Sequence, residues 1–234
     1  MLRKKLDSEF LDYLVEHRVV PGERLPTLQQ LSAQIGISVG KLREQLEVAR
    51  SLGLVSVRPR VGTQREAYDF LPAVLRSALF GLSTGEATFR HFSQLRRAIE
   101  SGLWCEAVVQ LTAEDKERLQ EIMGQAWQKL RSEPIHIPNW EHRQLHLTIF
   151  SRLDNPFVQG ILEAYWDIYD ASELTRLASY QYWLDVWSYH EQIVEAICED
   201  DVERGRRLLV AHFELLPTVA AVSGNGQIPN LEMK

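Results

Sequence analysis

The chain has 234 residues, 45% hydrophobic and 25% charged, a globular composition with room for one large domain or two modest ones, which excludes a disordered or fibrous protein. No apolar run approaches the ~18 residues of a membrane span. MLRKKLDSEF lacks a signal-peptide core, and Cys105 and Cys198 stand far apart in apolar helical stretches, so the expectation is a cytoplasmic protein without disulfides, both thiols in its core.

Charge is uneven along the chain. Residues 1–65 hold 11 Lys and Arg against 7 Asp and Glu, net +4, and the remainder of the −6 chain is −10, which makes the first part the candidate for a polyanionic partner. The first predicted helix runs from Leu2 to His17, with Phe10, Leu11 and Leu14 as its inner stripe, and stops before Pro21-Gly22. PTLQQLSAQIG predicts a short helix capped by Thr27 and ended by Gly36. Ser38 caps a third, VGKLREQLEVARSLG, which buries Leu42, Leu46 and Ala49 and stops at Gly53. Two short strands follow, LVSVR and VGTQR, parted by Pro59-Arg60. Helix, helix, tight turn, helix and hairpin is the order of a winged helix-turn-helix, the motif that lays the second helix of its pair into the major groove.

Beyond residue 66 there is no strand pattern. Helices are predicted at roughly 68–82, 86–110, 113–131, 139–153, 156–177, 182–199 and 201–222, with starts at Thr112 paired with Asp115, at Asn139, at Asn155-Pro156 and at Asp200. The predicted fold is mainly α: a winged helix-turn-helix over 1–66, an all-helical bundle of six or seven helices over 67–222, and a frayed tail, SGNGQIPNLEMK, over 223–234.

In EHRQLHLTIF, His142 and His146 lie one helical turn apart on an apolar face. A zinc protease has H-E-x-x-H at this spacing, its glutamate activating water; here that position is Arg143, and no nucleophile elbow or Ser/His/Asp arrangement appears, so a metal-dependent hydrolase is the weaker alternative and the chain is read as no enzyme. His190 shares its helical row with Ile193, Val194 and Ile197, and His212 with Leu208, Leu209, Leu215 and Leu216, so four imidazoles point inward from three helices. Any one alone is a core residue with its ring nitrogen satisfied. Four without partners would cost on the order of a few kcal/mol each, whereas on a divalent cation they satisfy one another. Arg96, between Phe92, Leu95, Ile99 and Leu103, also faces inward, either in a buried salt bridge or as a guanidinium clamp for a carboxylate; Arg97 faces solvent or Glu100. Trp183 and Trp187 form a packing pair, and His17, His91 and His136 are surface residues.

The segment PGERLPTLQQLSAQIGISVGKLREQLEVARSLGLVSVRPRVGTQ resembles the DNA-binding domain of the GntR family of bacterial transcription regulators, through Pro21-Gly22-Glu23, Leu25-Pro26, Leu31, Gly36-Ile37-Ser38, Arg43-Glu44, Leu46, Gly53-Leu54-Val55 and the wing glycine Gly62. The remainder resembles the FCD ligand-binding domain of the FadR subgroup, in RRAIE, HRQLH with LDNPFV, YHEQIVEAICEDD and His212. The resemblance implies a homodimer on double-stranded operator DNA, a repressor by analogy, with contacts from Thr27, Gln29, Ser38, Lys41, Arg43, Arg58, Arg60 and Gly62, Gln29 or Gln45 addressing a base edge. Leu28-Gln29 and Val39 depart from the family, which has Glu-Arg and arginine there, so a metal or metabolite sensor with an impaired DNA-binding head is the alternative. The family's metal site, an aspartate and a histidine one turn apart plus two later histidines, implies ligands His146, His190 and His212 with His142 in place of the aspartate, Glu141 being the other carboxylate to hand. Such an imidazole-rich set suits a divalent transition metal, Zn or Ni. Arg96 is then the clamp for a small organic acid effector.

Overall fold

The computed structural model describes residues 6–172 and 178–215. The expected tail at 223–234, the start of the first helix at Leu2, the helix ends at 177 and 222, and Leu216 lie outside the described residues. The chain divides into two compact units, one up to Val74 and one from Leu75.

In the first unit, Ser8 caps α1 (Glu9–Glu16) by accepting from Leu11 N, so the helix begins later than its apolar stripe predicts; Asp7, at φ 53°, cannot continue it backward. Thr27 and Gln30 make a reciprocal capping box at α2 (Leu28–Ile35), and Gly36 ends it at φ 79°. Ser38 caps α3 (Val39–Ser51). Strands β1 (Val55–Arg58) and β2 (Gly62–Arg65) pair antiparallel, Val55 opposite Arg65 and Arg58 opposite Gly62. Helices α1 and α2 pack on α3 over a core of Phe10, Leu14, Leu25, Leu31, Leu42, Ala49 and Val55, while Leu46, expected inside, is only packed against its edge. Phe10 is wholly buried, and truncating it to alanine would cost about 3–5 kcal/mol.

The second unit is helical throughout its described residues. It comprises α4 (Leu71–Ser83, whose first turn belongs to the first unit), α5 (Phe89–Val108), α6 (Ala113–Leu130), α7 (Asn139–Ile149), α8 (Pro156–Ala171), α9 (Tyr180–Cys198), α10 (Val202–His212) and a 3-10 turn, Phe213–Leu215. Among the described residues no helix is long and apolar enough to cross a membrane. Side chains of Thr88, Thr112, Asn155 and Ser179 cap α5, α6, α8 and α9. Two expected starts shift. Pro138, not Asn139, precedes α7, and the Asn139 side chain makes no cap bond; at α10 the cap is Asp201, because Asp200, at φ 59°, turns away to Lys116. Helix α9 packs on α6 and α10, α6 on α7, α5 on α8 and α10, and α7 on α8.

The core runs through Trp104, Leu119, Ile122, Ala126, Leu145, Ile149, Trp183, Trp187, Ile193, Ile197 and Leu209. Neither cysteine joins it fully: Cys198, at the end of α9, is half-buried, and Cys105 is exposed because α5 turns Arg96, Glu100, Trp104 and Val108 inward and leaves position 105 about 100° off that face. Leu95 is exposed for the same reason. Gly205 lets α10 close on α5: a Cβ there would stand 2.6 Å from the Trp104 ring, whose Nε1 donates to Val202 O at 2.8 Å. That close approach fixes the height of α10, and with it His212 two turns on.

Candidate functional site

Helix α7 carries His142 and His146 one above the other, α9 carries His190 and α10 ends on His212; all four are 0–1% exposed. The inward rows of the sequence thus meet. His146 Nε2 lies 3.3 Å from His190 Nε2, which lies 3.2 Å from His212 Nε2, and one ligand atom from each of the four histidines falls within 4.8 Å of the others. Two nitrogens on a tetrahedral ion at ~2.0 to 2.1 Å stand about 3.3 Å apart. Protons alone explain the contacts poorly. A neutral ring nitrogen carries either one proton or one lone pair, so at His190 a single one would have to serve two neighbours.

Burial, followed by nearby histidines or Arg96, holds all four imidazoles well below their usual pKa. They are neutral, the form a metal needs. His142 differs from the other three in that neither ring nitrogen has a partner among the described residues and its ring is enclosed by Trp166 at 4.7 Å, Tyr169 at 5.6 Å, Trp187 at 6.1 Å and Trp183 at 6.3 Å. The Trp183/Trp187 pair is therefore core, and core of this site. Glu141, the other carboxylate to hand, turns instead to Lys129 Nζ at 2.8 Å, and Arg143 pairs with Asp167. The donor set at the site is all imidazole and fits a late transition ion rather than Mg or Ca.

Arg96 is 1% exposed, and it is paired. Its Nε donates to Glu100 Oε1 at 2.7 Å, one turn along α5, and its guanidinium stacks over Trp166 and Tyr165 at 4.5 and 4.6 Å. Among the described residues Nη1 and Nη2 are buried without hydrogen-bond partners. Glu100, wholly buried, brings its other oxygen 3.1 Å from His146 Nδ1; burial raises its carboxyl above the usual range, and Arg96 offsets only part of that. Arg97, expected to face solvent or Glu100, has a half-exposed side chain and reaches Glu214 at 2.5 Å, so Glu100 is the site residue that sequence reasoning missed. The i,i+4 spacing of Arg96 and Glu100 was the available signal.

In the first unit Thr27, Gln29, Ser38, Lys41, Arg43, Arg58 and Arg60 are exposed, and Gly62 is half-buried at φ 90°. Thr27 and Ser38 spend their hydroxyls on caps. Arg43, Arg58 and Arg60 have no ion pair or hydrogen bond from their side chains among the described residues, with Arg60 at φ 65° in the turn of the hairpin. Lys41 is held by Glu9. Gln45, offered as a base reader, serves the fold: its Oε1 accepts from Phe10 N at 2.9 Å and its Nε2 donates to Glu9, which ties α3 to the first turn of α1. Arg24, which the sequence reading passed over, lies beside the wing, 3.4 Å from where a Cβ at Gly62 would stand.

The sequence matches the FCD domain over residues 91–215 and the bacterial regulatory proteins of the gntR family over residues 4–64. It is 25% identical over 186 residues to the uncharacterized HTH-type transcriptional regulator YieP of Escherichia coli (strain K12), covering 77% of this chain and 79% of that one. Solved structures of similar fold include Streptococcus agalactiae GntR, at 15% identity and TM-score 0.57 over 89% of this chain and 95% of that one. Another is E. coli McbR/YncC, at 20% identity and TM-score 0.51 over 89% and 91%.

Proposed function

The chain belongs to the FCD-domain regulators of the gntR family, DNA-binding transcription regulators with an effector-binding domain rather than enzymes, and from that premise we propose that it is a metal-dependent, acid-responsive repressor. His142, His146, His190 and His212 hold one divalent transition ion, Zn or Ni, and Arg96 takes the carboxylate of a small organic acid. The observation that carries this reading is the pair of Nε2 contacts at 3.2 and 3.3 Å, the spacing of ligands around an ion.

The acid effector is supported by the chemistry of the unpartnered groups. Arg96 Nη1 and Nη2 and the indole nitrogens of Trp166, Trp183 and Trp187 are all buried donors without acceptors among the described residues. A guest that satisfies them is rich in acceptors, as a carboxylate is. When bound, the ion supplies positive charge toward the same guest. In the DNA-binding head, Arg43 and the wing arginines meet the phosphates, with Lys41 and the helix start at Ser38, while Gln29 is placed for a base edge, beside the capping Thr27 and the wing Gly62. Two heads in a homodimer address two half-sites, and the effector acts by favouring one relative placement of those heads.

Metal analysis of the purified chain tests the metal: about one transition ion per chain is expected, and His190→Ala should lose most of it, whereas a fully loaded His190→Ala would make these core histidines only. Fluorescence anisotropy against the upstream DNA of its own gene at two salt concentrations tests the head. Site-specific binding that weakens with salt is expected; no specific binding would favour the sensor with an impaired head.

A further inference from the structure

We infer that Glu100 is a positioning residue through which Arg96 acts on the metal site, an inference that rests on the metal reading above. Glu100 is wholly buried on α5, and both of its oxygens are engaged, Oε1 with Arg96 Nε at 2.7 Å and Oε2 with His146 Nδ1 at 3.1 Å. A guanidinium only donates, and a neutral Glu100 would leave the buried Arg96 charge without a counterion, so the carboxyl, although its burial works against the charge, accepts as a carboxylate on both oxygens. The proton between Glu100 and His146 therefore sits on Nδ1, which leaves His146 Nε2 with its lone pair, and Nε2 is the atom that lies 3.3 Å from His190 Nε2. A neutral histidine free of such a partner divides itself between two tautomers, only one of which offers Nε2 to an ion.

A plain buried ion pair between α5 residues would need one carboxylate oxygen. The second oxygen reaches across to α7, onto the one histidine of the four whose outer nitrogen is held among the described residues: there His190 Nδ1, His212 Nδ1 and both nitrogens of His142 have no partner. Arg96 in turn has little freedom. Its guanidinium lies over the rings of Trp166 at 4.5 Å, Tyr165 at 4.6 Å and Phe213 at 5.4 Å, the last of these being the residue that follows His212. Arg96 thus fixes the Glu100 carboxylate in angle as well as in charge. A lysine would keep the charge and lose the Nε contact.

Two measurements on the full-length chain test this. The first is nitrogen-15 NMR of the metal-free protein, which reads the His146 tautomer directly and needs no variant: the proton is expected on Nδ1, and a proton on Nε2 overturns the inference. The second is zinc affinity by competition with a chromophoric chelator. Glu100→Gln is expected to weaken zinc about ten- to a hundredfold and to erase the His146 tautomer preference. Arg96→Lys should weaken zinc in the parent chain and add little in the Glu100→Gln background, since both changes break one linkage. Zinc binding within about twofold of the parent in Glu100→Gln, or full additivity of the two changes, overturns the inference and leaves the metal reading standing. A parent chain that takes up no zinc overturns both.

Discussion

The two units place the charged groups of their candidate sites in opposite ways. In the head, Arg43, Arg58 and Arg60 stand in solvent without partners among the described residues; in the helical unit, Arg96, Glu100 and four histidines are at most 1% exposed and touch one another. Exposed charges cost the fold little and can be aimed at a partner yet to arrive. Buried ones are tolerated only where something balances them, so their arrangement reports what the site holds. The contrast teaches that a free arginine in the head is weak evidence for a ligand and a half-partnered arginine in the core is strong evidence.

The sharpest test of this contrast is metal loading. A thousandfold excess of zinc over its dissociation constant should stabilise the helical unit by about 4 kcal/mol, seen as slowed amide exchange in α7, α9 and α10, and leave α1 to α3 unchanged. Equal protection in both units would mean that the ion is not confined to the buried cluster.

Gly205→Ala probes the scaffold that brings the cluster together. The added methyl meets the Trp104 ring, so α10 must shift and carry His212 with it. The expected cost is about 1–3 kcal/mol, with a weaker zinc affinity measured alongside thermal unfolding. Unchanged affinity despite lost stability would show that His212 is not positioned by this contact.

How much of this was legible beforehand depended on burial as well. His142, His146, His190 and His212 were readable because each sits on an apolar row of its own helix, a local pattern that needs no tertiary knowledge. Glu100 was not: spacing alone allowed it to pair along α5, but its second contact, to His146, depends on where α7 comes to rest. The tie of Gln45 to α1 was hidden for the same reason, since its partner Phe10 N lies 35 residues away. Cys105 shows the opposite failure, an apolar neighbourhood in sequence that the helical turn leaves outside.

On the head, Arg43→Ala should weaken operator binding about tenfold and lower the salt slope by about one, read by anisotropy titration. Lys41→Ala should do less, because part of its charge is already answered by Glu9, although so exposed a pair gives way easily. If the two variants prove equal, the Glu9 contact does not persist on DNA.

The smallest effect belongs to a half-buried charge near the surface, Asp115, with an exposed partner. Asp115 receives Arg152 Nε at 2.7 Å and closes the Thr112 cap of α6, and these bonds, Arg152 first, bring its pKa down from 3.8 to about 2. A depressed carboxylate stabilises the fold where it is ionised in both states, above about pH 4, and that contribution fades as the pH falls toward 2. Asp115→Asn should therefore cost under about 1 kcal/mol at neutral pH, and the gap from the parent should close in acid, as followed by urea unfolding at several pH values. A gap that persists at pH 2 would place the loss in the shape of the cap. One that is large at pH 7 would mean that a pair near the surface of the helical unit can matter as much as the buried pair of Arg96 and Glu100 within it.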